Sequence, residues 1–512
     1  MPSSVHTDPW FLGLQILSAL FIFVIGSVAL IAVVLLIIDR TQRRDAIRHN
    51  YPVIGRFRGL FEYLGMFFRR YFSAMDREEL PFNRAQRDWV SRAASGQATN
   101  AAFGSTRDLR PAGTVLFAPC PFPTLEEDSV PAQPLTIGPY CATPYAATSL
   151  FNISAMSYGA VSRPAVQALA DGARRAACWL NTGEGGLAPE HLASGADLVL
   201  QIGTANYGVR DADGNLDWKA LQDVAAHPQV RMIEFKLSQG AKPGKGGLLP
   251  GAKVTAQIAA IRGIPAGRDS VSPNRRRDVD SVPQLVALLA RARAVTGKPV
   301  GFKLVLGAYG WLDELCETIN RLGPVDHAPD FITLDGAEGG SGAAPQSLMD
   351  YAGLPLRESL PRLVNALHRH GLGERVRVIA SGKLITPDEV AWALCAGADF
   401  VTSARGFMFA LGCIQALRCD RNTCPTGITT HDPRLQQGLD PADKGVRVGS
   451  YVAGMVREVG VIAHCCGVPT PRRLRRYHAR LVQPDGCSLA LDEIYGADPR
   501  RAPDVSAETA SR

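Results

Sequence analysis

The chain has 512 residues, 46% of them hydrophobic and 20% charged, with a formal net charge of +7. That is ample for a large core, and the length allows two or three domains or one barrel with extensions. No low-complexity tract, coiled-coil heptad or short-period repeat is present, which excludes fibrous and solenoid architectures.

In chain order, the first element is apolar. Residues 11–38 (FLGLQILSALFIFVIGSVALIAVVLLII) contain no charge. A run this long exceeds the roughly 20 residues a helix needs to cross a bilayer, so it predicts a transmembrane helix. A cleaved signal peptide fits less well: no basic residue precedes the run, the run is too long, and no small-x-small cleavage site follows. Asp8 precedes the run, and Arg40, Arg43, Arg44, Arg48, Arg56, Arg58, Arg69 and Arg70 follow it. The positive-inside rule then puts the rest of the chain in the cytoplasm. The segment FEYLGMFFRRYF (61–72) reads equally as an interfacial helix or a solvated linker. The expectation is a single-pass membrane protein with an anchor in 1–40, a basic juxtamembrane and helical linker in 41–110, a barrel in 111–480 and a tail in 481–512. In a reducing cytoplasm the eleven cysteines are mostly core residues, and any cluster of them points to a metal or to catalysis.

From about residue 149, short apolar runs alternate with helical ones. Strands are predicted at 149–157, 177–183, 197–203, 230–238, 299–307, 330–336, 376–382 and 399–404. Helices are predicted at RPAVQALADGARRA, LDWKALQDVAAH, VPQLVALLARARAV, WLDELCETINRL, LPRLVNALHRH and PDEVAWALCAG. Near-continuous apolar strands between helices imply a parallel sheet covered on its faces. Eight such units predict an α/β fold of the (β/α)8 TIM-barrel type, with a doubly wound open sheet as the alternative. The runs end in Ser157, Glu184, Gln201, Lys236, Gln239, Lys303, Asp335, Ser381 and Ser403. In a barrel these ends converge on the face where active sites are built.

Three glycine-rich segments fall on that face: DGAEGGSGAAP (335–345), ASGKL (380–384) and SARG (403–406). Glycine lets backbone N–H groups approach a ligand, and barrels bind phosphate at the loops after strands seven and eight. No GxGxxG follows a strand to open a helix, so a single phosphate, as in FMN, fits better than a dinucleotide. Lys303, inside VGFKLVLG, must reach the barrel mouth or pair with an anion. EFKLSQGAKPGKGGLLPG (234–251) holds Lys236, Lys242 and Lys245, with Arg262 on the next helix. It suits a dicarboxylate substrate, or is simply a solvated basic loop.

Further on, GCIQALRCDRNTCPTGITTH (412–431) gathers Cys413, Cys419 and Cys424. Thiolates are the preferred ligands of iron–sulfur clusters. Zinc competes on spacing alone, with His431 or the Cys465–Cys466 pair as a fourth ligand. Cys413 is expected late in the helical stretch after strand eight, opening a Cys-rich loop at 413–424 that is followed by a helical C-terminal extension.

Over residues 110–470 the ordered motifs ISAMSYGAVS, NTGEGG, QIGTANYGV, EFKLSQGAKPGKGG, LDGAEGGSGAAP, ASGKL and CX5CX4CPTGITT closely resemble the FMN-binding synthase domain of glutamate synthase. The resemblance implies FMN and a 3Fe–4S cluster on Cys413, Cys419 and Cys424. It implies flavin contacts from Ser157, Gln201 and Lys303, and a phosphate region at Gly340, Ser341, Gly382 and Arg405. It places Glu184, Gln239, Lys242 and Arg262 in a 2-oxoglutarate pocket, with Lys242 and Arg262 clamping carboxylates. Arg262 has the least certain register, because GIPAGRDSVSPNRRRDVDSV departs from the family pattern. The implied reaction, an oxidoreduction at a CH–NH2 group, is reductive amination of 2-oxoglutarate through 2-iminoglutarate.

The departures leave the partners open. No N-terminal nucleophilic cysteine, C-terminal β-helix or NAD(P)H fingerprint matches the complete enzyme. Nitrogen is expected from ammonia, an amine or a separate glutaminase subunit, and electrons from ferredoxin or a reductase subunit. Nucleic acid is not an expected partner. Two alternatives stand. One is a flavin oxidoreductase on the same barrel acting on another oxo or hydroxy acid or amine, including synthesis of an N-substituted glutamate. The other is a non-catalytic membrane-tethered electron-transfer or scaffold protein.

Overall fold

The computed structural model describes residues 9–42, 48, 50–68 and 75–500. The chain forms two compact units, Met1–Ala85 and Gln86–Arg512. Asp8, Arg43, Arg44, Arg69 and Arg70, used above to orient the span, lie outside the described residues.

The first unit opens with one uninterrupted helix, Pro9–Thr41. At about 1.5 Å per residue it is longer than the hydrocarbon core is thick, and its apolar window has no buried part. Arg40 lies in its last turn, where a cation suits the helix dipole. Asp39 ends the apolar run by turning the chain back. Its carboxylate accepts from Arg56 Nη2 at 2.7 Å and from the Val53 backbone N–H at 2.9 Å. Val53 adopts a left-handed φ of 66°, and the helix Ile54–Phe68 follows.

The second unit is built on a closed barrel of eight parallel strands. We number them β1 (Phe151–Ile153), β2 (Leu180–Asn181), β3 (Leu198–Ile202), β4 (Val230–Lys236), β5 (Val300–Val305), β6 (Phe331–Asp335), β7 (Arg377–Ser381) and β8 (Phe400–Ser403). Closure comes from β8 on β1, with Val401, Thr402 and Ser403 opposite Phe151, Asn152 and Ile153. All eight predicted strands are present, which rules out the open sheet. The predictions overrun most at β1 and β2, because residues 154–157 and 182–183 leave the ladder while still buried or half-buried. The six predicted helices are also present, among them Arg163–Arg175, Val282–Thr296 and Pro387–Ala396.

The lower end is plugged by a hairpin that the strand–helix alternation does not reveal. Leu135–Ile137 pairs antiparallel with Tyr145–Ala147. Ile137, Tyr145 and Ala147 join Trp179, Val199, Met232, Phe331, Ile379 and Phe400 in one core cluster. Beside this plug, Asp330 is fully buried. It accepts from Arg293 Nε at 3.0 Å and from the Val300 backbone N–H at 2.8 Å, and it pairs with Arg375 at 2.9 Å. A 25-residue helix, Pro441–Cys465, packs on Arg163–Arg175 and forms the C-terminal extension. Its Tyr451 ring stacks edge-on to Phe151 and Phe407.

The expectation for Cys413 is corrected. The helix after β8 ends at Ala410. Gly412, at φ 104°, turns the chain, Cys413 N–H donates to Met408 O at 2.9 Å and Gly412 N–H donates to Phe409 O at 2.9 Å. This Schellman arrangement stops the helix and puts Cys413 at the start of the loop.

Candidate active site

At the upper end, Glu184 lies in the turn after β2, between two glycine backbones. A Cβ added at Gly203 or at Gly247 would come within 2.4 Å of a Glu184 carboxylate oxygen. At the end of β4, Lys236 meets this carboxylate at 2.7 Å and donates to Gln239 Oε1 at 3.0 Å. Burial pushes the Glu184 pKa up, but Lys236, Lys242 and Arg262 together outweigh it and hold the carboxyl below its usual range. Lys236 thus joins Glu184 and Gln239 directly, and Lys242 and Arg262 lie near enough to Glu184 to act on its ionisation.

Lys242 is buried and donates to the Ala343 carbonyl at 3.1 Å. Burial, then the neighbouring Lys236 and Lys245, bring its pKa down to about 8, with Glu184 opposing. Arg262 ends the helix Ala256–Arg262 and is also buried. It donates to Ser270 Oγ at 3.1 Å and to Tyr158 O at 3.3 Å, and its guanidinium lies 5.0 Å from the Tyr207 ring centroid. Its Nε has no partner among the described residues. Among the described residues neither Lys242 nor Arg262 has a carboxylate within ion-pair distance. An ammonium has three donors and a guanidinium five, so both retain donors beyond the bonds named here. Buried cations with donors to spare are chemically able to accept an anion.

Below this layer the barrel interior is polar. Glu234, on β4, is buried; one oxygen accepts from Asn181 Nδ2 at 2.8 Å and Gln201 Nε2 at 2.7 Å, the other from Thr333 Oγ1 at 2.5 Å. With its nitrogen committed to Glu234, Gln201 can offer a ligand its carbonyl oxygen. Asn181 Oδ1 in turn accepts from the Gly183 N–H at 3.0 Å, which fixes the turn that carries Glu184. Glu234 is the residue the sequence reading missed. The period of a strand puts Glu234 and Lys236 on one face, but nothing local to β4 shows the partners that give Glu234 its role.

Lys303 pairs with Asp335 at 3.3 Å. Asp335 also accepts from the Gly240 N–H at 2.8 Å, and Ala241 N–H donates to Ala337 O at 3.1 Å. The cationic loop is thereby fastened onto the glycine-rich loop after β6. At Gly240 a Cβ would meet Gly336 O at 2.4 Å, so the two backbones touch only because no side chain intervenes. The expected phosphate region is gathered here. Gly340 packs on the Arg405 guanidinium, Arg405 Nη2 donates to Ser341 O at 2.5 Å, and Gly382, at φ 131°, lies against Gly336. Ser157 lies in the loop above β1, whose backbone N–H a Cβ at Gly183 would strike at 2.4 Å. Arg405 also reaches Cys419 Sγ at 3.7 Å, so it links the glycine-rich loop to the cysteine loop. Glycine backbones and one guanidinium are chemically suited to the phosphate of FMN.

In the cysteine loop, Cys413, Cys419 and Cys424 are all free thiols near enough to influence one another's ionisation. Burial raises the Cys413 pKa. At Cys424 burial is outweighed by hydrogen bonds from Thr426 and Thr429, which hold the thiol below its ordinary value. Gln415, Leu417 and Asn422 all adopt left-handed φ near 57°, a conformation uncommon for side-chain-bearing residues. Among the described residues no three His, Cys, Asp or Glu side chains converge closely enough for a single ion. Two of the candidate fourth ligands for zinc, His431 and Cys466, are engaged elsewhere. His431 Nε2 bonds Gly159 O at 2.8 Å, and Cys466 lies beside Cys120 and the His478 carbonyl. Three thiols spread around one wound loop fit a cluster that brings its own bridging atoms better than a lone ion.

The chain matches the conserved region in glutamate synthase over residues 128–468. It is 36% identical to a glutamate synthase large subunit-like protein of Bacillus subtilis, over 94% of this chain and 98% of that one. It is 33% identical to an archaeal glutamate synthase (NADPH) of Methanocaldococcus jannaschii, over 64% of this chain and 61% of that one. Among solved structures, a mandelate oxidase mutant with a monooxide FMN adduct aligns at a TM-score of 0.42 and 17% identity, over 78% of this chain and 92% of that one.

Proposed function

We propose, on the premise that this chain belongs to the glutamate synthase family, that it is a membrane-anchored synthase that aminates 2-oxoglutarate reductively to L-glutamate through 2-iminoglutarate. The observation that carries this is the pair of buried cations, Lys242 and Arg262, with donors to spare beside Glu184. Two fixed cations match the two carboxylates of the oxo acid, and they hold its 2-oxo carbon facing the mouth of the barrel. Glu184, kept ionised by Lys236, attracts the incoming ammonia or ammonium and orients its nitrogen toward that carbon. Gln239, held by Lys236, completes the polar wall. The fastening of the cationic loop at Gly240 and Ala241 excludes water that hydrolyses an imine.

FMN, when bound, supplies the hydride equivalent for the imine carbon, and a 3Fe–4S cluster, when bound, supplies single electrons from a ferredoxin or a reductase subunit. Gly340, Ser341, Gly382 and Arg405 would hold the flavin phosphate, Ser157, Gln201 and Lys303 the ring, and Cys413, Cys419 and Cys424 the cluster. The helix Pro9–Thr41 would tether the barrel to the cytoplasmic face of a membrane, near a membrane-bound electron source.

The test is anaerobic. Dithionite-reduced protein given 2-oxoglutarate and ammonium reoxidises its flavin and releases glutamate. Reoxidation by another oxo acid or amine but not by this pair would replace the substrate assignment, and no reoxidation by any would replace the enzyme with an electron-transfer or scaffold protein.

A further inference from the structure

Lys253 lies in the turn Gly251–Lys253, between the cationic loop and the helix that carries Arg262. Its side chain is 1% exposed. The ammonium donates to the Ala160 carbonyl at 2.9 Å and to the Cys419 carbonyl at 3.2 Å. Ala160 belongs to the loop of Ser157, and Cys419 is the middle cysteine of the trio. A second tie runs alongside, from Asn422 Nδ2 to Ala252 O at 3.3 Å. The turn thus joins the loop above β1 to the cysteine loop. Among the described residues no carboxylate lies within ion-pair distance of Lys253. Asp420, the acidic group it feels, is exposed. A buried ammonium without a counter-charge is costly. The sulfurs of Cys419 and Cys424 also lie within its electrostatic reach, and a thiol is deprotonated when it ligates a metal centre.

We propose that Lys253 is the built-in counter-cation of the Cys413–Cys419–Cys424 centre, raising its reduction potential and fixing its place against the loop of Ser157. This rests on the reading of the three cysteines as iron–sulfur ligands. Each electron added to such a centre increases its negative charge, and a cation held in a dry, low-dielectric position stabilises the reduced form more than the oxidised one. Arg405 approaches Cys419 from the other loop but is partly exposed, so solvent screens it more. Lys253 is therefore a positioning and tuning residue; it touches no substrate.

The experiment is an EPR-monitored redox titration of the full-length protein as wild type, Lys253→Met and Lys253→Arg, preceded by iron and acid-labile sulfide analysis. Wild type without iron and sulfide overturns the cluster reading itself. With the cluster present, Lys253→Met is expected to shift the oxidised-to-reduced ratio at the wild-type midpoint at least about tenfold toward oxidised, about 59 mV for one electron, while Lys253→Arg stays within about threefold. Loss of the cluster in Lys253→Met with retention in Lys253→Arg also supports the proposal. An unchanged midpoint in Lys253→Met, or loss of the cluster in both variants, overturns it. If Lys253→Met does not fold, a Lys253→Arg midpoint within about threefold of wild type supports the proposal and a tenfold displacement overturns it.

Discussion

The two ends of the barrel bury charge in opposite ways. At the lower end one carboxylate, Asp330, is enclosed by two guanidinium groups and a backbone N–H, so the charges there answer one another. At the mouth, Lys236 and Lys303 have carboxylate partners, while Lys242 and Arg262 have carbonyls, a hydroxyl and a ring instead. Burial of a cation does not by itself mark a binding site. Arg476 is fully buried too, and four oxygen acceptors, three of them the backbone carbonyls of Tyr495, Gly496 and Ala497, engage its two terminal nitrogens, while its Nε, like that of Arg262, has no partner among the described residues. The contrast lies in the counter-charge: a carboxylate lies between the guanidinium groups at the closed end, while at the open end Lys242 and Arg262 have none within ion-pair distance among the described residues.

The largest way to break the comparison is at the closed end. Asp330→Ala leaves Arg293 and Arg375 buried without their shared anion and is expected to destabilise the barrel by about 3–5 kcal/mol. A fall in the urea midpoint checks it; an unchanged midpoint would mean the network is not holding the lower end together. At the mouth the same kind of deletion should harm function and spare the fold. Lys242→Ala removes a charged clamp worth about 1.5–3 kcal/mol, raising the KM for 2-oxoglutarate roughly tenfold to a hundredfold with flavin content and urea midpoint unchanged. Loss of flavin instead would assign Lys242 to the cofactor.

A subtler probe sits below the mouth. Glu234→Gln keeps the shape and leaves an oxygen to accept from Asn181 and Gln201, but it removes the negative charge and puts an NH2 where the other oxygen accepts from Thr333. The expected result is a lower kcat and a shifted flavin absorbance with little change in KM, read by steady-state kinetics and spectroscopy; an unaltered spectrum would leave Glu234 as packing only.

The smallest effect is a pH dependence. The folded pKa of Lys242 is lowered to about 8 from an ordinary 10.5. Between these values the unfolded chain binds the proton more than the folded one does, so this lysine makes unliganded stability rise with pH in that window. Below pH 8 both states are protonated and its full penalty is present. The substrate-free enzyme loses this cation as pH rises through about 8, so the KM for the oxo acid should rise there. Lys242→Arg, which stays charged, should flatten that rise.

Much of this was legible in the sequence because it is local. Eight apolar runs with polar ends dictate the barrel, and NTGEGG and SQGAKPG already place Glu184 and Gln239. What was not legible depends on strands meeting. Glu234 gains its role only because β3, β4 and β6 bring Gln201 and Thr333 alongside it. The plugging hairpin consists of two three-residue strands, too short for periodicity to register. Lys253 lies in a single turn with no pattern, and its partners are distant in sequence. Cys413 was misplaced because apolar Phe407, Met408 and Phe409 read as a helix that continues, whereas Gly412 ends it.

The most direct test of the unfinished charge at the mouth is calorimetric binding of 2-oxoglutarate and of its monocarboxylate analogue 2-oxobutyrate to oxidised holoprotein. If Lys242 and Arg262 await two carboxylates, the dicarboxylate binds at least about tenfold more tightly, and Lys242→Ala removes most of that difference. Equal affinity for the two acids, or a preference that survives Lys242→Ala, would contradict it.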